Sequence, residues 1–345
     1  MYQGRYQDNH QDIAIIVERN KMAVIRHNIL SNAASRDKYI QGVKLLKNDF
    51  LRSDWPNTYD IFIIWHYYAM MTHTPPNSPT GRNAAHSGPS FLPWHRWMLI
   101  LLENHLQRVL NDPNFGLPYW DWAADGQLSP AQQPIAQIWS DKYMGGSGSP
   151  VTTGPFSAGS WQVNIEEGLP PGSLSPTLVS TNRALQRSLG LDPDVNTLPT
   201  SADVRAAVHR DEPNVFYDAP SWDPNSLGFR NELEGWANAP GLHNRVHVWV
   251  GGDMGPATSP NDPVFYLNHC NVDRIWSGWQ QMHHNPAYVP DDNVGSALRR
   301  HRLHDRLFNI TSNVLFDPIY HGRVRPADLL DVSSRYTYET FDDLL

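Results

Sequence analysis

The sequence predicts a mainly α-helical protein with long loops and a few short strands. Three observations support this class: apolar stretches with helical spacing, a middle third rich in Gly, Pro, Ser and Thr, and histidines grouped within the helical stretches. The apolar share of 40% and the thirteen tryptophans are sufficient for a substantial buried core. At 345 residues the chain fits one large domain or two ordinary ones.

The first third of the chain is expected to be helical. Residues 12–50 show helical apolar spacing, and Ser35 is the expected N-cap of their second piece. A helix over 60–71 has apolar residues on every side, which is typical of a helix buried all round. A longer helix is predicted from Pro93 to residues 111–113, since proline disfavours helix in the residue before it.

The composition changes over residues 123–229, where we expect ordered surface loops with a short helix over 201–209. A flexible linker between two domains is the alternative, because loops this long are usually functional or disordered. The helix over 262–282 begins at Asp262-Pro263, which is a strong start signal. Shorter elements are predicted over 232–236 and 242–249, and as a helix followed by a strand over 327–338.

Charge and cysteine content exclude several classes of protein. A net charge of −8 argues against a nucleic-acid binder. The single cysteine, Cys270, excludes an intrachain disulfide and a cysteine-based zinc site. The longest apolar stretch, residues 61–71, is far shorter than the ~20 residues of a membrane span. No secretory signal is visible, so we expect a cytoplasmic protein by default, with export alongside a partner as the alternative.

Two groups of histidines indicate a metal site. His243 and His247 are four residues apart and therefore share one helix face. His269 follows in the next predicted helix, so a helix pair can present three imidazoles to one point. The other group has His66 in an apolar helix, where an unpaired imidazole would be costly to bury.

The first group is completed by His86 in a loop and His95 at the start of a helix. Three imidazoles in each group admit zinc, iron or copper, and the divalent series of affinities peaks at copper. The remaining ten histidines are expected at the surface, outside both groups: His10, His27, His73, His105, His209, His283, His284, His301, His304 and His321.

Several strings resemble the two copper motifs of tyrosinases, the type 3 dicopper proteins, and most closely the bacterial ones. For the first copper they are "WH", "AAH" and "FLPWHR"; for the second they are "FRNELEGW", "LHNRVHVWVGG" and "NDPVFYLNHCNVDRIW". "LPYWDW", "VTTGPF" and a terminal "YTY" belong to the same pattern. The resemblance spans nearly the whole chain and implies one catalytic domain over residues 1–345.

The resemblance also implies a four-helix bundle core that holds a dicopper centre. Two copper ions are the implied cofactors, with dioxygen as co-substrate. The implied ligands are His66, His86 and His95 for one copper, and His243, His247 and His269 for the other.

Glu234 and Asn244 match the glutamate and asparagine that hold a water in this family. A phenol has a pKa of about 10, so binding it as phenolate at neutral pH costs roughly 4 kcal/mol without a base. A Glu–Asn pair with a water could accept that proton. The alternative is an exposed helical glutamate, a description that Glu232 is expected to fit better.

Other residues are expected around the substrate. Phe91, Trp236 and Pro240 are candidate pocket walls, with core packing as the alternative. Ala257 stands where some relatives place a bulky gate residue, which predicts an open site. Val248 stands where several bacterial relatives carry arginine, which makes affinity for acidic phenols doubtful.

Three further expectations concern the surroundings of His269 and the chain end. Asp273 and Arg274 are expected to form a supporting pair behind His269. Cys270 is expected to be a packed residue and not a copper ligand. Because the chain ends soon after "YTY", we expect no C-terminal shielding domain.

By resemblance, the predicted activity is ortho-hydroxylation of monophenols and oxidation of o-diphenols to o-quinones. A catechol or o-aminophenol oxidase without monophenol hydroxylation is the alternative. An oxygen carrier of the hemocyanin type is a third hypothesis, against which the small Ala257 argues. The expected partner is a small phenolic substrate, and a copper-delivery or export protein is a further candidate.

Overall fold

The structure is a computed structural model of the chain. It describes residues 23–78, 81–170, 175–210, 217–218, 223, 225–237, 239–284, 287–293, 295 and 298–344.

Eight α-helices are found in the described ranges, in agreement with a mainly helical class. In chain order they are α1 Ala33–Leu46, α2 Thr58–Met71, α3 Phe91–Leu110, α4 Trp122–Asp125, α5 Ser201–Val208, α6 Phe229–Glu234, α7 Leu242–Val250 and α8 Val264–Met282. Short 3-10 turns lie at Gln133–Ile135, Gln137–Trp139, Gly252–Met254, Ser259–Asn261, Pro326–Leu329 and Asp342–Leu344.

The helix predicted over 12–50 is only partly confirmed. Residues 12–22 lie outside the described residues, and Val24–Arg26 form strand β1. This strand pairs in parallel with β4, Tyr336–Tyr338. The prediction of a helix there was wrong because a strand partner more than 300 residues away overrides local propensity. The predicted N-cap was also wrong, since Asn32 caps α1 by accepting the Ser35 N–H at 2.9 Å.

The boundaries of the long helices follow their local sequence. Asn57 caps α2 by accepting the Asp60 N–H at 2.9 Å. Helix α3 ends at Asn111, whose φ of 50° is left-handed, a conformation that asparagine tolerates. Asp262 lies two residues before the first residue of α8, and its carboxylate accepts the Val264 N–H at 3.0 Å.

The loop region contains a hairpin that was not predicted. Strands β2 (Val163–Gly168) and β3 (Thr177–Arg183) pair antiparallel. The predicted short helix over 201–209 is present as α5, which begins with a capping box of Thr200 and Asp203.

Helices α2, α3, α7 and α8 form the four-helix core, with α3 packed against α8 and α7 against α8. Trp65 of α2 contacts Trp94 and Trp97 of α3, with ring centroids 4.9 and 4.7 Å apart. The buried apolar cluster runs from Val24 to Leu344 and includes these rings.

Asp273 and Arg274 do not form the expected pair. The Asp273 carboxylate accepts from Arg96 and Arg26, while Arg274 pairs with Asp343 at 2.6 Å. Successive residues on a helix point about 100° apart, so the two side chains meet different partners.

Three expectations of surface exposure were also wrong. His105 and His301 are buried: His105 donates to the Phe316 carbonyl at 2.8 Å, and His301 lies 2.6 Å from the Thr74 hydroxyl. Glu232 is buried as well and pairs with Arg210.

Candidate metal centre

The first histidine triad is assembled from two helices and the loop between them. His66 lies on α2, His86 in the loop and His95 on the first turn of α3. One ring nitrogen from each lies within 4.8 Å of the others, and all three residues are buried. The sequence prediction that these three histidines converge is therefore matched by the geometry.

Backbone carbonyls orient two of these rings. His66 Nδ1–H donates to the Ala257 oxygen at 2.7 Å, and His95 Nδ1–H donates to the Phe91 oxygen at 2.8 Å. These bonds place the lone pair on Nε2, and both Nε2 atoms are buried without a protein hydrogen-bond partner. A buried, unpartnered lone pair is costly unless it binds something, and a metal ion fits that requirement.

His86 is held by its own loop. The Asn83 side chain accepts the backbone N–H groups of Ala85 and His86 at 3.1 and 2.8 Å. The next residue, Ser87, donates its N–H to Glu234 Oε1 at 2.6 Å. The loop is thus anchored on both sides of the ligand candidate.

The second triad joins α7 and α8. The Nε2 atom of His269 lies 3.1 Å from that of His243 and 3.4 Å from that of His247. Ligand nitrogens of the three lie within 4.8 Å of one another. His247 Nδ1–H donates to the Met254 carbonyl at 2.7 Å, so its Nε2 also faces the shared point.

The two triads face each other across the bundle. The rings of His95 and His269 stack with centroids 4.2 Å apart. Phe91 contacts the rings of four histidines of the two triads, and Phe265 contacts another set of four. The two phenylalanine rings therefore pack against all six imidazoles.

Burial keeps the six imidazoles neutral. It lowers the pKa of His66 to about 3 and that of His247 to about 4. The pKa values of the other four are also lowered, first by burial and then by neighbouring histidines. Neutral imidazole is the form that binds metal, so the donor set suits two copper ions.

Glu234 lies fully buried between the triads. Its Oε1 accepts from Ser87 and from Trp236 Nε1 at 3.0 Å, and its Oε2 accepts from Arg230 at 2.5 Å. Burial raises the pKa of Glu234, although Arg230 opposes this. Its backbone carbonyl lies 3.2 Å from His243 Nδ1.

Asn244 is placed beside the second triad. Its Oδ1 lies 3.1 Å from Nδ1 of His243, the same nitrogen that the Glu234 carbonyl approaches. The backbone carbonyl of Glu234 and the side chain of Asn244 therefore approach the same edge of His243.

The five expected substrate residues fall into two groups. Phe91 and Ala257 are buried, at 0% and 5% exposure, and both carry carbonyls that orient histidines. Trp236 and Val248 are each 37% exposed, and Pro240 is exposed.

Sequence reasoning missed Phe265 and the oxygen of Met254. Phe265 lies four residues before His269, a helical spacing that could have suggested a contact with its ring. Nothing in the sequence could have indicated the Met254 carbonyl, because every residue has a backbone carbonyl.

Cys270, next to His269, points away from the triads. Its Sγ donates to the Leu117 carbonyl at 3.4 Å, and burial raises the pKa of the thiol to about 12. No helix in the described ranges combines the length and apolar character needed to cross a membrane.

Residues 56–282 match the family described as the common central domain of tyrosinase. The tyrosinase of Streptomyces glaucescens is 36% identical over 327 residues, which cover 92% of this chain and all of that protein. Grixazone synthase of Streptomyces griseus is 36% identical over 344 residues, with the same coverage of each chain.

Solved structures share the fold. Latent apple tyrosinase matches with a TM-score of 0.54 at 21% identity, covering 94% of this chain and 64% of its own. An octopus hemocyanin unit matches with a TM-score of 0.53 at 19% identity, covering 93% of this chain and 70% of its own. With these matches and two histidine triads that fit a binuclear copper site, the chain belongs to the tyrosinase family of dicopper phenol oxidases.

Proposed function

We propose that the two triads hold two copper ions and that the protein hydroxylates monophenols and oxidises o-diphenols with dioxygen. The observation that carries the proposal is the set of buried imidazole nitrogens that converge on two adjacent points. The proposed ligands are His66, His86 and His95 at one point, and His243, His247 and His269 at the other.

The copper pair, when bound, supplies the redox chemistry that activates dioxygen. The chain's own contribution is orientation, because each Nδ1 bond to a carbonyl turns one ring toward its point. Phe91 and Phe265 pack against histidine rings of both triads. An apolar, rigid surrounding of this kind holds both metal ions in a defined geometry.

We propose that Glu234 and Asn244 hold a water that accepts the phenol proton. A carboxylate offers about four lone-pair sites, and Ser87, Trp236 and Arg230 use three of those on Glu234. One site is left for a water. The raised pKa of Glu234 makes the carboxylate a better proton acceptor at neutral pH.

The proposed substrate pocket has an exposed rim and a buried floor. Trp236, Pro240 and Val248 are accessible and would contact the phenol ring. Phe91 and Ala257 would shape the floor, and the small Ala257 side chain leaves the approach open.

A catechol or o-aminophenol oxidase is the second candidate function. It is kept because a relative with a name other than tyrosinase, grixazone synthase, matches the chain at the same 36% identity as the tyrosinase of S. glaucescens. The two candidates differ only in monophenol hydroxylation, because both use the same copper pair.

The test is oxygen uptake by copper-reconstituted protein with monophenols, catechols and o-aminophenols. Turnover of all three classes supports the first candidate, and the absence of monophenol turnover supports the second. His247→Ala should lose copper from the second triad together with activity. His304→Ala, a change at an exposed histidine outside both triads, is the control. Reversible oxygen binding without any turnover would instead support an oxygen carrier.

Copper supply and location are further proposals. Five of the six histidines are at least nine-tenths buried, so we propose that a copper-delivery partner assists loading. Loading of the apoprotein by free copper ions at a rate that no accessory protein increases would contradict this. The unpaired Cys270 suits a reducing compartment, so we propose the cytoplasm as the location of the protein. Export alongside a partner is the alternative, and cell fractionation tests it.

We also propose one catalytic domain over residues 1–345, supported by a buried apolar core that runs from Val24 to Leu344.

A further inference from the structure

One short loop, residues 252–258, holds a histidine of each triad. Its Met254 carbonyl accepts the Nδ1–H of His247, and its Ala257 carbonyl accepts the Nδ1–H of His66, both at 2.7 Å. The two carbonyls stand three residues apart on one backbone. The conformation of that backbone therefore limits how far the two rings can move apart.

This loop is fastened to the β2–β3 hairpin at two places. Arg183, the last residue of β3, pairs with both oxygens of Asp253 at 2.9 and 2.6 Å. Glu167 of β2 accepts the Ala257 N–H at 3.1 Å. A two-pronged ion pair fixes orientation as well as distance, so the hairpin restrains both ends of the loop.

The Asp253 end is the more firmly held of the two. Its side chain is only 5% exposed and also accepts the Gln186 N–H at 2.8 Å, while the Asp253 N–H donates to the Gln186 carbonyl at 2.9 Å. Gly252, just before it, has φ of 53°, and a Cβ there would lie 2.2 Å from the same carbonyl. Met254 follows directly, so displacement of Asp253 moves the carbonyl that orients His247.

We propose that the β2–β3 hairpin sets the separation of the two triads, with Arg183 and Glu167 as positioning residues that act through loop 252–258. The proposal rests on the proposed function, because this separation matters only when both triads hold copper. Arg183 acts on His247 by way of Asp253 and Met254. Glu167 acts on His66 by way of Ala257.

The chain offers a matched control. Glu166 accepts from Arg183 Nε at 2.6 Å, within the hairpin. No hydrogen bond from its side chain to loop 252–258 is found among the described residues. Glu166→Gln therefore weakens an ion pair of Arg183 without releasing the loop.

The experiment compares Arg183→Met, Glu167→Ala and Glu166→Gln in the full copper-reconstituted chain. Cupric ions that share a bridging ligand couple magnetically and give no electron paramagnetic resonance (EPR) signal, whereas separated cupric ions give one. We expect Arg183→Met and Glu167→Ala to keep two coppers per chain but to show a several-fold rise in EPR-visible copper. Their kcat on catechol should fall about tenfold with little change in KM. This is less than the roughly 100-fold loss that a 1 Å misplacement of reacting groups can cause.

Glu167→Gln retains an oxygen acceptor and should restore most of the EPR silence and of kcat. Glu166→Gln should match the unsubstituted protein in EPR silence and in kcat. If Arg183→Met does not fold, Arg183→Lys takes its place, with a smaller rise in EPR-visible copper expected.

The inference is overturned if the Arg183 and Glu167 variants keep wild-type kcat and EPR silence, or if Glu166→Gln has the same effect as they do. Loss of copper from both triads would also overturn it, since it concerns separation and not affinity. Failure of the proposed function is distinguishable, because the unsubstituted chain would then bind fewer than two coppers or leave catechol unoxidised.

Discussion

Asp273→Asn should strongly destabilise the protein. The side chain is 3% exposed and accepts four hydrogen bonds, as many as the roughly four lone-pair sites of a carboxylate. The donors are Arg96 Nε at 2.5 Å, Arg26 Nη1 at 3.2 Å, and the hydroxyls of Tyr336 and Tyr338 at 2.6 Å each. This carboxylate therefore joins α3 and α8 to both terminal strands.

The expected loss of stability follows from the partners that the two arginines retain in the variant. Arg26 keeps Glu103 at 2.9 Å, so its charge stays compensated. Arg96 keeps only neutral acceptors, Gln280 and the carbonyl of Leu329 among them. Removing one partner of a buried ion pair costs about 3–5 kcal/mol, because the other charge is left uncompensated. We expect Asp273→Asn to lower the free energy of unfolding by that amount.

The assay is urea unfolding of the copper-free protein, with Asp54→Asn as the control. Asp54 makes a two-pronged pair with Arg52, and both side chains are exposed, at 62% and 46%. Exposed pairs contribute about 1 kcal/mol or less. Equal destabilisation by the two variants would refute the argument that burial of Asp273 decides the magnitude.

The same network predicts a pH dependence. Burial would raise the pKa of Asp273, but Arg96 and Arg26 outweigh it and hold the pKa below its usual value. A depressed carboxyl pKa stabilises the folded state above the unfolded pKa of about 3.9, and this stabilisation is lost as pH falls toward the folded pKa. The difference between Asp273→Asn and the unsubstituted protein should therefore shrink below pH ~4.

Three further predictions concern single residues. Glu234→Gln should lower kcat/KM on monophenols by about 100-fold, since a positioned base contributes a rate factor of about 10²–10⁴. A pH–rate profile should show partial recovery at alkaline pH. An unchanged rate at neutral pH would contradict the role of Glu234 as a base. The Cys270 thiol, with its pKa raised to about 12 by burial, should resist iodoacetamide in the native protein and react after unfolding, as followed by mass spectrometry. Rapid native labelling would contradict this. Burial lowers the pKa of His301 to about 3 in the folded protein. As pH falls below the unfolded histidine pKa of ~6.5, the unfolded chain binds a proton at His301 while the folded chain does not, so the stability of the fold should decrease. His301→Gln should make that dependence less steep in urea unfolding between pH 7 and 5, although the other buried histidines still contribute to it. An unchanged slope would count against it.

The helices that carry the histidines were predictable from local pattern. The stretch over 60–71 became α2, Thr58–Met71, and the helix predicted over 262–282 became α8, Val264–Met282. Their apolar spacing and cap residues lie within each segment, so no distant partner is needed to recognise them.

The strands were not predictable in the same way. Val24–Arg26 gains its partner, Tyr336–Tyr338, only when the chain ends meet. The β2–β3 hairpin was likewise expected to be loop, and its contacts to loop 252–258 depend on an ion pair between Arg183 and Asp253, 70 residues apart.

The amino-acid sequence was enough to predict which six histidines form the two triads, because imidazole is a side-chain property and the spacing of the histidines can be read along the chain. How the triads face each other and how each ring is turned became visible only in the folded protein. His66, His95 and His247 are oriented by the carbonyls of Ala257, Phe91 and Met254. Every residue has a carbonyl, so folding alone selects the one that holds each histidine.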